Sequence, residues 1–258
     1  LNTVRTTGTF TGKAAVDYTA GDASITITQA NNLSGATTGK VTATIADDSL
    51  ADLIGGSGIN ADTGNDGGDI NAFTVTLTDT SVSAADLATL DARTSGTINL
   101  NDVTTLTGTL TELKAFIVAE DNFGNKSGIS TISVSAENID GAEGRGSVAE
   151  LVTFHTDIRD NAGDGFNANA VINLTNVDLL SGGVSDLLSA IALTDITGIS
   201  GTDIAITATD ASISIANANS LSGATNGVVT ATITESTTAQ ILDAGTGLTT
   251  DGGANAFT

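Results

Sequence analysis

Two hydrophobic rhythms alternate along the chain. Runs with an apolar residue at every second position occur at Val41–Ile45, Phe73–Leu77, Ile98–Leu100, Ile132–Val134, Val171–Leu174 and Val229–Ile233. Period-two alternation predicts strands with one buried face. Between them come apolar residues at helical spacing: Leu87 and Leu90; Leu113, Phe116 and Ile117; Leu151 and Phe154; Leu187, Leu188 and Ile191. The helical runs open on a shared signature, a hydroxyl residue, then three positions later an acid or amide, then Leu or Ile. Ser49–Asp52–Leu53, Ser83–Asp86–Leu87, Thr109–Glu112–Leu113, Ser147–Glu150–Leu151 and Thr237–Gln240–Ile241 carry it, and Gly183–Asp186–Leu187 is a variant. This is a capping box: the hydroxyl accepts the N3 amide, and the N3 side chain returns to the cap amide. The six occurrences predict six helices of about two to three turns, too short to stand without tertiary packing. The marker aliphatics Leu53, Leu87, Leu113, Leu151, Leu187 and Ile241 recur at uneven intervals, the shortest from Leu87 to Leu113 and the longest from Leu187 to Ile241. That last interval holds an extra strand near Ile204–Ile206 and a strand-plus-turn unit, Ala211–Gly227, whose twin is Ala23–Gly39. That unit is read as lacking a capping box, so it and its twin are expected to be coils without a helix.

The twin units belong to a longer repeat. Asp22–Ile45 returns without a gap as Asp210–Ile233, with 18 of 24 positions identical. Asn71–Thr74 returns as Asn255–Thr258. The chain therefore reads as a window on a repetitive protein: residues 1–22 end one repeat, 23–209 form a full one, and 210–258 begin the next. Strand–helix units fall near 41–54, 73–92, 98–119, 132–156 and 171–193. Strand–helix units in series give parallel strands through right-handed crossovers. The expected fold is α/β, a repetitive β/α solenoid of parallel strands with short capped helices. The alternatives are a pair of compact α/β domains and tandem β-sandwich domains, and six capped helices speak against the sandwiches.

Composition narrows the function. The 258 residues include no Pro, Cys, Met or Trp, with seven Phe and one Tyr, so the core is built from Ala, Val, Ile and Leu. Small side chains suit thin, stacked layers. A formal net charge of −22 argues against nucleic acid, whose phosphates it repels, and against anionic lipid. It fits either a soluble acidic surface or one partly neutralised by divalent cations. Without cysteine there are no disulfides or thiolate metal sites, and no apolar run is long enough for a membrane-inserted helix.

Three Asp/Asn/Gly loops offer hard oxygen ligands on flexible turns, the chemistry of calcium. The candidate ligands are Asp62, Asp66 and Asp69; Asp121 and Asn125; and Asp160 and Asp164. None of the loops completes an EF-hand, since Gly64 and Ala162 stand where a ligand belongs. The same residue types also make ordinary turns. The single His155 has no second His or Cys with which to share a zinc ion. No phosphate-binding Gly-rich loop is present, and a sugar-cleaving cleft would lack aromatic platforms. No catalytic residue is assigned, and an enzyme is not expected.

Thr78–Leu87, Leu90–Ile98 and Val103–Thr109 resemble a repeat of giant cyanobacterial secreted and cell-surface proteins: haemolysin-type calcium-binding, surface-layer and motility-associated proteins. The resemblance covers about Phe73–Thr111 and echoes through the other units. It implies an extracellular or cell-surface location and, often, calcium, although the regular Gly-Gly-x-Gly-x-Asp arrays of the calcium-binding relatives are missing. The expected function is a structural repeat segment of a large surface protein or filament. Its partners would be copies of itself, with cell-surface polysaccharide as a further candidate. A calcium-dependent adhesive module is the alternative, and a carbohydrate-active enzyme the third.

Overall fold

In the computed structural model, residues 15–60, 70–118, 122–135, 137–160, 165–235, 237–243, 247–248 and 255–258 are described. The order begins β1 (Tyr18–Thr19), α1 (Ile27–Ser34), β2 (Val41–Thr44), α2 (Leu50–Ile54), β3 (Ala72–Thr76), β4 (Ser81–Ser83), α3 (Ala84–Asp91) and β5 (Ile98–Asn99). It continues through β6 (Thr105–Gly108), α4 (Leu110–Val118), β7 (Phe123–Gly124), β8 (Thr131–Val134), α5 (Val148–Asp160), β9 (Val171–Asn173), β10 (Leu179–Gly182) and α6 (Val184–Ala192). It ends with β11 (Ile196–Thr197), β12 (Ala205–Ala208), α7 (Ile215–Ser222), β13 (Val229–Ala231), α8 (Thr238–Ile241) and β14 (Ala256–Phe257). The protein is α/β, with three sheets of parallel strands and eight α-helices among the described residues.

The chain divides into two units. The first comprises Leu1–Thr105 with Ala119–Ile129, and the second Leu106–Val118 with Ser130–Thr258. In the first, β1, β2, β3, β5 and β7 form one sheet in that order, so the sheet grows in the direction of the chain. The registers Tyr18↔Val41, Ala43↔Phe73, Val75↔Ile98 and Ile98↔Phe123 put apolar residues side by side. In the second unit β6, β8, β9 and β11 are neighbours in sequence order, and so are β10, β12, β13 and β14. Helices follow suit: α2 packs on α3 in the first unit, and α4 on α5, α5 on α6 and α6 on α7 in the second.

All six marked helices form. The capping box is reciprocal at Thr109, Ser147 and Thr237, where the N3 residue is Glu or Gln. At Ser49 and Ser83 the N3 residue is Asp, one methylene shorter, and only the hydroxyl half is present. Gly183 has no side chain with which to cap α6. Marker residues Leu53, Leu87, Leu113, Leu151 and Leu187 are fully buried, whereas Ile241 is half-buried on the single turn of α8.

Two expectations are corrected. The twin units expected to lack a helix contain α1 and α7, capped by Thr26 and Ser214. Thr26 and Gln29 make a full capping box, but the residue after it is Ala30, and Ala218 stands at the matching place in α7, so the Leu/Ile marker fails. Both alanines are completely buried, a small residue filling the slot that Leu fills elsewhere. The module is also richer than strand, turn, helix. A second strand, β4, β6 or β10, precedes α3, α4 or α6, so these three modules run strand, turn, strand, helix.

Between modules the backbone is pinned by a Thr-x-Gly turn just ahead of a strand. Thr37 Oγ1 donates to Val16 O (2.6 Å) and accepts from Gly39 N (2.9 Å). Thr94 does the same with Phe73 O (2.8 Å) and Gly96 N (3.0 Å), and Thr225 with Ile204 O (2.6 Å) and Gly227 N (2.9 Å). In each case the hydroxyl reaches 21 residues back, to the preceding module. The glycine lies against that module's backbone: a Cβ on Gly96 would sit 2.4 Å from Phe73 O, and one on Gly227 would sit 2.2 Å from Ile204 O. The sequence repeat is a repeat of bonds as well. Asn71 Oδ1 accepts Val41 N (2.7 Å), as Asn255 Oδ1 accepts Val229 N (2.9 Å).

Gly96→Ala forces β3 and the following turn apart. A loss of about 1–3 kcal/mol is expected, read as a lower midpoint in urea unfolding. An unchanged midpoint would show that the close approach is not required.

Candidate functional site

Of the seven candidate calcium ligands, Asp62, Asp66, Asp69, Asp121 and Asp164 lie outside the described residues. Asn125 adopts a left-handed backbone (φ 62°) at the start of a 3-10 turn, and its Nδ2 donates to Asn99 Oδ1 (3.3 Å) one module earlier. Asp160 is exposed at the last residue of α5. Among the described residues no group of three or more His, Asp or Glu side chains is placed to hold a metal ion.

A different use of carboxylates emerges. The first amide of a helix, which has no partner within it, is bonded by an acid of the following module. Leu50 N donates to Asp79 Oδ2 (2.6 Å), Leu110 N to Glu137 Oε1 (2.6 Å), Val184 N to Asp210 Oδ2 (2.6 Å) and Ile215 N to Glu235 Oε2 (3.1 Å). Each acid follows a strand, so strand pairing delivers it to the helix start. A negative charge there also meets the positive end of the helix dipole, typically worth about 0.3–1 kcal/mol. These four acids read from sequence only as surface charge, because their partners lie 20 to 29 residues away.

His155, Arg159 and Asp195 make a cluster of opposite charges in the second unit. His155 Nε2 lies 3.4 Å from Asp195 Oδ2, the Arg159 guanidinium bonds the same oxygen, and Arg159 also donates to His155 O (2.9 Å). The bond from Arg159 holds the Asp195 carboxyl down at about 2. Burial, then the Arg159 charge, lowers His155 below its ordinary value, outweighing the neighbouring carboxylate. The His155 ring and the Arg159 guanidinium, both on α5, meet the same carboxylate oxygen of Asp195 and fasten α5 to the segment ahead of β11. Among the described residues the imidazole bonds Asp195 and no hydroxyl.

Two open hollows, of about 320 and 430 Å³, sit at equivalent places in the two repeat copies. The first is lined by Thr26, Ile27, Asp48 and Asp52, and the second by Ile215, Ala216, Glu235 and Gln240. Each lies where a helix start meets the next module's helix, and neither has an aromatic wall.

Both shifted groups of the cluster titrate lower in the folded chain than unfolded, so the unfolded state binds more protons and stability decreases as the pH is lowered. The contribution of Asp195 is complete above its ordinary 3.8 and lost as pH falls through about 2. That of His155 is complete above 6.5 and declines below it. Urea melts of the natural chain and Asp195→Asn should differ near neutral pH and converge as pH drops from about 3.8 to about 2. A difference independent of pH would mean that the charge of Asp195 has no part in it.

Compared with protein-family models, curated proteins and solved structures, the chain matches none.

Proposed function

We propose that this chain is a structural repeat segment of a large extracellular surface protein or filament, a β/α solenoid whose modules stack along an axis and whose copies assemble end to end. One observation carries the reading: specific side-chain bonds run between consecutive modules, and the same set recurs in the second copy of the repeat. Thr37 and Thr225, Asn71 and Asn255, and Asn31 and Asn219 repeat their contacts, the last pair donating to Gly58 O (2.8 Å) and Gly247 O (2.9 Å). A chain that repeats its module-to-module bonds over a long period is organised to extend itself, and nearest-neighbour stacking allows copies to be added without redesign. The acidic composition and the resemblance to secreted surface proteins support the extracellular setting. Self-association is the partner interaction this reading needs, and polysaccharide binding would be an added role.

Electron microscopy of the native material is the direct test: a fibre or lattice is expected, and lone round particles would overturn the proposal. Thermal melts in calcium and in chelator separate it from the calcium-dependent adhesive reading. The structural reading expects coincident curves, whereas a calcium-raised midpoint would transfer the function to the Asp/Asn/Gly loops.

A further inference from the structure

Strand β12 is bonded on both sides. Toward β13, Ile206 N donates to Val228 O (2.9 Å). Toward β10, Ala205 N donates to Asp178 O (2.9 Å) and Thr209 N to Gly182 O (3.0 Å), in the register Leu179↔Ala205 to Gly182↔Ala208. Its counterpart in the earlier copy of the repeat is β1. The inner side of β1 is the same: Tyr18 N donates to Lys40 O (2.9 Å), and Tyr18 faces Val41 as Ile206 faces Val229.

The outer side differs. Amides of alternate residues in a strand point to opposite sides, so those of Asp17, Thr19 and Gly21 are aimed where Ala205, Thr207 and Thr209 meet β10. Asp17 and Gly21 donate to no backbone acceptor among the described residues. Val16 is 48% exposed, whereas its counterpart Ile204 is 3% exposed. Tyr18 and Ala20 are half-buried, whereas Ile206 and Ala208 are buried. Asp22 repeats the pattern. Its counterpart Asp210 caps α6 through Val184 N, whereas Asp22 is exposed and makes no hydrogen bond among the described residues.

We propose that the outer edge of β1, Asp17–Gly21, docks a β10-type strand (Leu179–Gly182) and the α6-type helix behind it from another copy of the repeat, with Asp22 capping that helix. The inference rests on the structural-repeat reading and gives it a register: Leu179 of one copy opposite Asp17 of the next, and Gly182 opposite Ala20. The occupant is specified by the chain's own second copy, where the matching edge is filled in this way. Gly182 carries no side chain to crowd the neighbouring strand, and its carbonyl can receive the Gly21 amide as it receives Thr209 N. Filling the edge buries Val16 and supplies acceptors for the Asp17 and Gly21 amides, as pairing of a strand edge does.

The test is a fusion in which residues 1–204 of one copy are followed directly by residues 17–258 of a second, compared with the single chain by amide hydrogen exchange. In the fusion, the second-copy amides of Asp17, Thr19 and Gly21 are expected to exchange at least about tenfold more slowly than in the single chain. Equal rates in the two would overturn the docking. With second-copy Asp22 changed to Ala, the first-copy Val184 amide is expected to exchange faster, and an unchanged rate would overturn the cap; Asp22 is exposed, so the fold does not depend on it. The result is separable from the filament reading. A protected junction in a protein whose native material forms no fibre overturns the filament and keeps the docking, and a fibre with an unprotected junction does the reverse.

Discussion

Hydrogen bonding between parallel neighbouring modules is the constraint on which the remaining structure depends. Among the described residues the strands are two to five residues long and all but one of the helices are nine residues or shorter, so none would persist alone in water. Each is held because its strand bonds those of the adjoining modules, which places its helix on its neighbour. Register follows from this pairing. A one-residue slip would turn Phe73, Val75 and Ile98 out of the interior, and it would move Thr94 away from the carbonyl it bonds.

Polar residues are fasteners in this arrangement. Thr in the Thr-x-Gly turns, Asn71 and Asn255 beside the strands, and the four helix-capping acids all bridge one module to the next. No buried side-chain nitrogen or oxygen lacks a partner among the described residues, since an unpaired polar group in the interior is costly. This gives the unusual composition a physical sense. The core holds few aromatic residues and is filled by Ile, Leu, Val and Ala. Part of the large negative charge is structural as well, since each carboxylate at a helix start replaces a water that would otherwise solvate the first amide.

The candidate site was less legible than the fold. Helix starts could be read because a capping box is local: hydroxyl and acid lie three positions apart. Helices α1 and α7 escaped because Ala30 and Ala218 occupy the slot where an aliphatic marker was expected, although Thr26 and Gln29 spelled the box. The second strands escaped because Val82, Leu106 and Leu180 are central buried residues of very short segments that leave too little room to display alternation. Asp79, Glu137, Asp210 and Glu235 could not be told from other surface acids, since each is defined by an amide in another module. The ion pair of Arg159 with Asp195 likewise joins residues 36 apart.

The order of residues by itself determined what is local or periodic: the repeat length, the alternating strands, the helix starts and the small-residue core. These follow from bonds within a turn and from the two periodicities of the backbone. Tertiary structure decided what depends on residues from different modules lying side by side. Only strand pairing brings Thr225 to Ile204, Asp210 to Val184 and Glu137 to Leu110, because distance along the chain does not specify distance in space until the ladder is laid down.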